Sequence, residues 1–295
     1  MKKLTVFTPA FNRAYCIHQL YESLLRQTNQ EFIWLIVDDG SSDNTKELIE
    51  KWINENKIEI KYIYQENQGM HGAHNTAYEH IITELNVCID SDDYMTDNAV
   101  DLILKKWDSI EDKSNTSGIV GLDYDIKGRI IGSKFPENLE YSTLYDIYHK
   151  HNIKGDKKLV LRTDIVKKYP KYPIFKDERF VPLGTLYLMI DQDYKLACLN
   201  KPLCIVEYMA DGSTMNIFKQ YKRHPKGFRY ARSIEMLYLK GFKNQFKTIL
   251  HFISSTIYAK DFKFFTNNTK KISTLSLLPL GILFHIYVDL KTRKD

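Results

Sequence analysis

The chain has 295 residues, of which 43% are apolar and 27% charged, and its formal net charge is +5. This length and composition are sufficient for a large buried core, which excludes a disordered or fibrous protein. The four cysteines lack the CxxC spacing of a zinc site, so we expect reduced thiols rather than disulfides. We expect no cleavable signal, because the first apolar segment already ends at Pro9.

Positive charge is concentrated towards the C-terminal end of the sequence. Residues 216–295 contain sixteen Lys and Arg against four Asp and Glu, a balance of +12 that leaves −7 for residues 1–215. We therefore predict a domain over 1–215 and a basic, mainly helical region over 216–295. Basic residues interleaved with apolar ones suit an anionic membrane surface or an anionic polymer. We expect no nucleic-acid partner, because no nucleic-acid motif accompanies them.

Short apolar segments alternate with segments of helical periodicity over the first part of the chain. The predicted strands are 4–7, 33–37, 58–64 and 87–89, and the predicted helices are 15–27, 44–56, 73–83 and 96–107. This alternation is typical of right-handed βαβ units in a mostly parallel twisted sheet with helices on both faces. The predicted fold class is therefore α/β, with a C-terminal helical segment.

Each of the four predicted strands is followed by a polar loop. The loops cover residues 8–13, 38–42, 65–72 and 90–93. In parallel α/β sheets the ligand lies at the carboxyl ends of the strands, so these loops are expected to converge on one edge. The sequence therefore predicts a ligand site there.

The last of these loops contains three carboxylates, those of Asp90, Asp92 and Asp93, within four positions. Carboxylate oxygens are the ligands that a hard divalent cation prefers, so Asp90 and Asp92 are the predicted metal pair. The alternative is a polar turn whose aspartates cap the next helix. The convergence of four polar loops favours metal and ligand binding.

The alternation of strand-like and helical segments is less clear beyond Asp101. We predict a hairpin between 119–122 and 129–131, helical structure over 141–169, an amphipathic helix from about Pro182 to Tyr194, and a strand over 203–208. An apolar segment, 273–290, is short for a membrane span of ~20 residues and ends in a basic flank. We predict an interfacial helix there; the alternative is an ordinary docked C-terminal helix.

Four motifs resemble, in order and spacing, those of the family-2 glycosyltransferases of bacterial polysaccharide synthesis. They are Thr8–Arg13, Val37–Thr45, Glu66–Gly69 with Ala73-His74-Asn75, and Asp90–Asp93. The resemblance implies a GT-A fold, a UDP-sugar donor, Mn²⁺ or Mg²⁺, and inversion at the anomeric carbon. It also implies a metal-dependent hexosyltransferase that acts on a glycan or lipid-linked acceptor in cell-surface polysaccharide synthesis. We expect such an enzyme in the cytoplasm, peripheral on the inner face of the membrane, and a homo-oligomer is compatible with the sequence.

The resemblance also implies roles for individual residues. The 9–13 loop and Asp39 resemble a uridine pocket in which a carboxylate accepts the uracil N3 hydrogen. Asp92 resembles the residue that holds the metal on the diphosphate, and Asp90 the one that contacts ribose or sugar. The predicted nucleotide-sugar ligands are Thr8, Pro9, Ala10, Phe11, Asn12, Arg13, Asp39, Asn67, Gly69, Met70, His71, His74, Asn75, Asp90 and Ser91.

Met70, His71 and His74 depart from the family pattern, in which Lys or Arg is frequent at these positions. A histidine can still donate a hydrogen bond to a phosphate, although it neutralises less charge near neutral pH. The alternative for His71 and His74 is that they are polar helix-terminus residues without a ligand.

The general base is the second departure, because Leu183 and Gly184 lie where relatives carry an acidic pair. The nearest acids, Glu178 and Asp177, are the base candidates, with Asp191 in reserve; a solvated charge pair is the alternative for the first two. A rival function is that of a non-catalytic nucleotide-sugar-binding partner of a synthase complex. A nucleotidyltransferase is less favoured, because the loop after the first strand contains no glycine.

Overall fold

The computed structural model describes residues 2–207, 217–263 and 268–292. Two compact units are present: residues 1–68, 72–170 and 190–209 form the first, and residues 69–71, 171–189 and 210–295 form the second. The domain boundary predicted at residue 215 lies outside the described residues. None of the four cysteines, all of them in the described ranges, forms a disulfide.

The first unit is built on a sheet to which the described residues contribute nine strands. The strands are β1 Leu4–Ala10, β2 Phe32–Asp38, β3 Ile60–Tyr64, β4 Leu85–Cys88, β5 Tyr94–Met95, β6 Thr116–Asp125, β7 Tyr141–Ser142, β8 Lys157–Arg162 and β9 Lys195–Val206. The order is β3-β2-β1-β4-β8-β6-β9-β5, and β7 pairs with β9. The first four strands are parallel, as predicted, whereas β8 runs antiparallel to both β4 and β6.

Helices follow the strands of the first unit in βαβ order. They are α1 Ile17–Leu25, α2 Thr45–Glu55, α3 Met70–His80, α4 Ala99–Asp108, α5 Leu144–His149 and α6 Thr163–Val166. The indole ring of Trp34 on β2 stacks with Trp52 of α2, and Tyr21 of α1 stacks on both. The Trp34 Nε1 donates to Thr8 Oγ1 at 3.0 Å, which fixes the strand just before the first polar loop.

The predicted helix over 141–169 is wrong. Only the short helices α5 and α6 form there, and β8 lies between them. Val160 is fully buried and pairs with Val87 of β4 on one side and Ile119 of β6 on the other. These partners are distant in sequence, and their pairing overrides the helical periodicity of the segment.

Two later predictions are confirmed in part. Tyr124 and Ile130 form an antiparallel bridge, so the predicted hairpin exists, although β6 is longer than expected. The predicted strand 203–208 is the end of β9, and its residue 208 lies outside the described ranges.

The second unit is mainly helical. Its helices are α8 Ile217–Arg223, α9 Pro225–Tyr238, α10 Phe242–Tyr258, α11 Lys271–Ser276 and α12 Leu278–Thr292, and most of α7 Gly184–Ile190 belongs to it. Met236 of α9 packs with Ile249, Phe252 and Ile253 of α10 in a small core. α12 closes against this core at Gly281, where an added Cβ would lie 2.6 Å from the Ile253 side chain.

The predicted single helix 273–290 is two helices, α11 and α12, which meet at Leu277. Pro279 lies in the first turn of α12, where a missing backbone N–H costs no helical hydrogen bond. Among the helices of the described ranges, none has the length and apolar content needed to cross a membrane.

Candidate functional site

The loops after β1 and β2 are locked together by hydrogen bonds. Asn12 has a left-handed backbone, with φ of 55°, and its Oδ1 accepts the Ser42 N–H at 2.8 Å. The Asn12 N–H in turn donates to Ser41 Oγ at 2.8 Å, and the Ala14 N–H donates to Asp43 Oδ2 at 3.1 Å. Asn tolerates the left-handed region better than most residues, which explains the residue type at position 12. The structure thus brings the predicted 8–13 and 38–42 loops into one rigid assembly.

Asp38 and Asp39 have different surroundings. Asp38 is fully buried and accepts hydrogen bonds from the Ser41 N–H at 2.8 Å and the Tyr62 hydroxyl at 2.7 Å. Burial raises the pKa of Tyr62, and the hydrogen bond to Asp38 raises it further. Asp38 therefore stabilises the turn between β2 and the following loop.

Asp39 joins the loops after three strands. Its N–H donates to the Ala10 carbonyl at 2.8 Å, and its Oδ1 accepts from Gln65 Nε2 at 2.6 Å and from the Gln68 N–H at 2.8 Å. Its side chain is buried. The carboxylate predicted to recognise uracil is therefore held rigidly at the carboxyl edge of β1, β2 and β3.

Two glycines of the motifs are required by close contacts. Gly40 has a φ of +87°, and a Cβ there would lie 3.0 Å from the Asn67 nitrogen. The absence of a side chain lets the predicted nucleotide-lining residue Asn67 approach the loop after β2. Gly69, with a φ of +84°, would place a Cβ 2.0 Å from the Arg179 carbonyl oxygen of the same unit.

The helix that follows this loop, α3, begins at Met70 and carries the two predicted phosphate-side histidines. His71 and His74 are both buried, Asn75 is half-buried and Met70 is exposed. The His74 ring packs edge-on against Phe7, 5.1 Å between ring centroids, and lies 5.8 Å from the ring of Tyr78. The His74 ring is thus packed between α3 and β1, against the rings of Phe7 and Tyr78.

The acidic turn, residues 90–93, follows β4 directly. The Ile89 N–H donates to the Phe7 carbonyl, which continues the pairing of β4 with β1, and the Asp93 N–H donates to the Asp90 carbonyl at 3.1 Å. Asp90 and Asp92 are half-buried.

Burial would lower the pKa of Arg13 on the first loop, but Tyr15 and Asp92 favour its charged form and raise the pKa. Asp92 is therefore within electrostatic reach of the first loop.

The acidic turn suits a divalent cation whose coordination is completed by a substrate. The described residues contain no group of three or more His, Cys, Asp or Glu side chains arranged to hold a metal. Mg²⁺ is commonly bound through one or two carboxylates together with substrate phosphates, and retains several waters. Asp90 and Asp92 offer this donor set, with oxygen atoms only.

A buried lysine near the acidic turn was not predicted. The Lys158 Nζ on β8 lies 3.8 Å from Asp93 Oδ2. Burial raises the pKa of Asp93 to about 7; Lys158 opposes this shift, and Asp90 and Asp92 add to it. Lys158 lies in the segment that was predicted to be helical. Its position beside the turn becomes visible only when this segment is recognised as a strand, β8.

The base candidates occupy three different environments. Glu178 is buried, and its two oxygens accept the N–H groups of Lys226 and Gly227, each at 2.9 Å, at the start of α9. Asp191 accepts the N–H groups of Leu144 and Tyr145 at the start of α5. Burial raises the pKa of Asp191 to about 6, against the effect of these hydrogen bonds.

Asp177 is the exposed candidate, with 78% of its side chain accessible and the Lys226 Nζ 3.9 Å away. Its surroundings fit the alternative given in the sequence analysis, in which Asp177 is a charged residue exposed to solvent and not a base. Glu178 and Asp191, by contrast, satisfy backbone N–H groups at helix starts, where a carboxylate also interacts favourably with the helix dipole.

The parallel strands and the acidic edge define an α/β protein of the GT-A type. The family model for "Glycosyl transferase family 2" matches residues 5–167, more than half of the chain. The chain therefore belongs to glycosyl transferase family 2, and the predicted resemblance and fold class are confirmed.

Curated relatives match over part of their length. The chain is 32% identical over 121 residues to a teichoic acid poly(glycerol phosphate) polymerase of Staphylococcus epidermidis. The matched segment covers 41% of the chain and 16% of the polymerase. It is 31% identical over 104 residues to the glycosyltransferase GlyA of Streptococcus pneumoniae, covering 35% of the chain and 15% of GlyA. The chain thus spans less than a fifth of the length of either relative.

Solved structures share the fold over nearly the whole chain. Residues 1–349 of S. aureus TarS in complex with UDP-GlcNAc align with a TM-score of 0.64 and 18% identity, covering 97% of this chain and 81% of that one. The mannosyltransferase PcManGT of Pyrobaculum calidifontis, in complex with GDP-Man and Mn²⁺, aligns with a TM-score of 0.55 and 14% identity, covering 98% and 82%.

We predict that Glu178→Gln lowers the free energy of unfolding by about 1–3 kcal/mol, because the amide nitrogen cannot accept one of the two buried N–H groups. The measurement is chemical denaturation, with Asp177→Asn as the matched exposed control, for which we expect little change. Unchanged stability of Glu178→Gln together with lost turnover would instead support Glu178 as the base.

Proposed function

We propose that this protein transfers a sugar from a UDP-sugar to a hydroxyl of a glycan or lipid-linked acceptor, with inversion, in cell-surface polysaccharide synthesis. The observation that carries the proposal is the placement of the interlocked loops after β1 and β2 beside the acidic turn after β4. The UDP-GlcNAc complex of TarS and the polysaccharide-related names of the curated relatives support the donor and the pathway class.

The rigid loops would bind the nucleotide, with Asp39 accepting the uracil N3 hydrogen. Asp39 is buried and held by Gln65 and Gln68, so little ordering of the site is needed when the base binds. Asn67, brought close by Gly40, would line the same pocket. Asn12 and Arg13, which are half-buried, would complete the wall formed by the first loop, whereas Thr8 is fully buried and accepts the Trp34 indole N–H instead.

Asp92, with Asp90 beside it, would hold Mn²⁺ or Mg²⁺ against the donor diphosphate. A divalent cation there supplies a Lewis acid that stabilises the negative charge of the leaving UDP. The oxygen donors of the turn fit this ion, and the Mn²⁺ complex of PcManGT supports it.

A carboxylate must accept the proton of the acceptor hydroxyl as it attacks. Glu178 and Asp191 already accept two backbone N–H groups each. We therefore favour Asp177, which has the exposed carboxylate among the three candidates.

A second candidate function, that of a non-catalytic nucleotide-sugar-binding partner, is favoured by Leu183 and Gly184 at the expected acidic pair. Hydrolysis of radiolabelled UDP-sugars without acceptor separates the two functions. Turnover that is abolished by EDTA supports the transferase. Binding of a donor without any turnover, with acceptor lipids present, supports the partner.

We predict that Asp92→Asn keeps the fold but reduces metal-dependent donor turnover by about two orders of magnitude or more, because a neutral amide is a poorer ligand for a hard cation. The control is Asp97→Asn, which removes an exposed carboxylate that pairs with Arg26 at 3.1 Å. Asp97→Asn should retain wild-type turnover, and wild-type turnover in Asp92→Asn would exclude Asp92 from the metal site.

Asp39→Ala should raise the donor KM by roughly tenfold or more and change kcat less, because the uracil is bound alike in the ground and transition states. Steady-state kinetics over a range of UDP-sugar concentrations gives both constants. If the donor KM is unchanged, the assignment of Asp39 to the uridine pocket is wrong.

We also propose that the protein binds the inner face of the membrane through α11 and α12. One side of these helices forms what we call the apolar strip, in which 42% to 84% of each residue is exposed: Ile272, Leu275, Leu280, Ile282, Leu283, Ile286, Tyr287 and Leu290. The exposed ammonium groups of Lys270, Lys271 and Lys291 flank the strip. An apolar face with a basic flank is complementary to an anionic bilayer surface.

The opposite side of α12 faces the protein. Gly281 and Val288 are buried, Asp289 pairs with Lys222 at 2.6 Å, and Ser254 Oγ lies 3.3 Å from His285 Nδ1. The helix is therefore docked by one side while Ile282, Leu283, Ile286 and Leu290 stay exposed. These contacts support docking of α12 by one side, and we propose that its other side is the one that contacts the membrane.

We predict that Leu283→Glu/Ile286→Glu reduces flotation with anionic vesicles and leaves the Tm unchanged, because both residues are exposed. Val288→Ala, on the docked side, should lower the Tm and leave flotation unchanged. High salt should weaken flotation of the wild type without abolishing it, since only the charge contribution is screened. Unchanged flotation of the double variant, with a shift from dimer to monomer in sedimentation, would make the strip an interface between copies of the chain.

A further inference from the structure

A buried ammonium group lies next to the acidic turn, inside the sheet of the first unit. Lys158 is on β8, which pairs with both β4 and β6, and only 12% of its side chain is exposed. Its Nζ lies 3.8 Å from Asp93 Oδ2. Asp93 directly follows the predicted metal pair, so Lys158 contacts the turn from within the protein.

Two neighbouring strands contribute further ionisable groups to this place. Asp123 on β6 is 2% exposed, and its Oδ1 has no hydrogen-bond partner among the described residues. Asp123 is in register with Cys204 on β9, whose Sγ lies 3.8 Å from Asp93 Oδ2. The other oxygen of Asp93 accepts the Glu207 N–H at 3.3 Å. Three strands thus enclose one ammonium group and two carboxylates.

This buried cluster is costly for the fold. Moving charges out of water is unfavourable, and a buried ion pair is often no more stable than apolar side chains of similar volume. Burial opposes the charge of Lys158, yet Cys204, Asp123, Asp93 and Asp90 raise its pKa well above the ordinary value. The geometry of the cluster, an ammonium group 3.8 Å from Asp93 with Asp123 on the neighbouring strand, makes it a candidate for a role beyond packing.

We propose that Lys158 is a positioning residue that holds the acidic turn in the conformation in which Asp90 and Asp92 bind the cation and the donor diphosphate. The inference rests on the proposed function. The turn places three carboxylates within four positions, and their mutual repulsion opposes a compact turn before the donor arrives. The Lys158 ammonium compensates this repulsion through Asp93, which is buried, whereas Asp90 and Asp92 are half-buried.

Lys157 provides a matched control in the same strand. It is also buried, at 8% exposure, and as the neighbouring strand residue it points to the other face of the sheet. Its Nζ donates to the carbonyls of Lys154 at 2.8 Å, Gly155 at 3.1 Å and Asp156 at 3.2 Å. Loss of this ammonium group leaves loop carbonyls without a donor and does not touch the acidic turn.

The test compares Lys158→Met with Lys157→Met in the full chain. Calorimetric titration with UDP in the presence of Mn²⁺ gives the Kd, and melting curves without ligand give the stability. We expect both variants to lower the Tm, but only Lys158→Met to weaken UDP binding, by roughly 10–100-fold, as is usual for groups that orient metal ligands.

The double variant Lys158→Met/Asp123→Asn separates charge balance from positioning, and it replaces Lys158→Met if that variant does not fold. Removal of the second buried carboxylate should restore much of the Tm. UDP binding with Mn²⁺ should stay weaker than in the wild type, because Asp93 still lacks the Lys158 ammonium group.

Wild-type UDP affinity in Lys158→Met or in the double variant would overturn the inference, as would an equal loss of affinity in Lys157→Met. A wild-type protein that binds no UDP with Mn²⁺ would instead overturn the proposed function, and the role of Lys158 with it. The two failures are distinguished by the wild-type titration.

Discussion

The candidate site depends on the parallel register of β1 between β2 and β4. Ala10 at the end of β1 lies beside Asp38, and Phe7 lies beside Cys88, so the three following loops leave the sheet at one edge. Parallel strands require crossover helices, and α1, α2 and α3 supply them. This register brings loops from positions 8 to 93 of the sequence to the same edge of the sheet. The hydrogen bonds of Asn12 and Asp39 then fix the loops relative to one another.

The same edge concentrates negative charge, and the protein compensates it in two ways. Arg13 on the first loop is within electrostatic reach of Asp92, whereas Lys158 lies inside the sheet beside Asp93. In the proposed function, the exposed side of the turn would bind a cation and a diphosphate, whose charges compensate each other. In the proposed role of Lys158, this compensation offsets the cost of placing a lysine among buried strands, where an apolar residue would otherwise suit the core.

The sequence predicted the parts whose signals are local. Strands β1 to β4 and their loops followed from strand-like segments of three to seven residues that end in polar loops, and the family resemblance rested on those loops. The strand β8 was missed because Lys157–Arg162 is stabilised by partners from β4 and β6, far away in sequence. Lys158 was missed with it. The surroundings of Glu178 could not be predicted either, since the N–H groups that it accepts begin α9, about fifty residues later.

The C-terminal helices show why periodicity alone could not decide between a docked and an interfacial helix. α12 is apolar nearly all round, so its sequence marks no single buried side. Docking is instead determined by shape and by one ion pair: Gly281 admits the Ile253 side chain, and Asp289 reaches Lys222. The eight residues of the apolar strip remain between 42% and 84% exposed. Eight large side chains exposed on consecutive helices form the kind of patch that marks an interaction site, and the flanking lysines are the reason for proposing an anionic membrane surface as its partner.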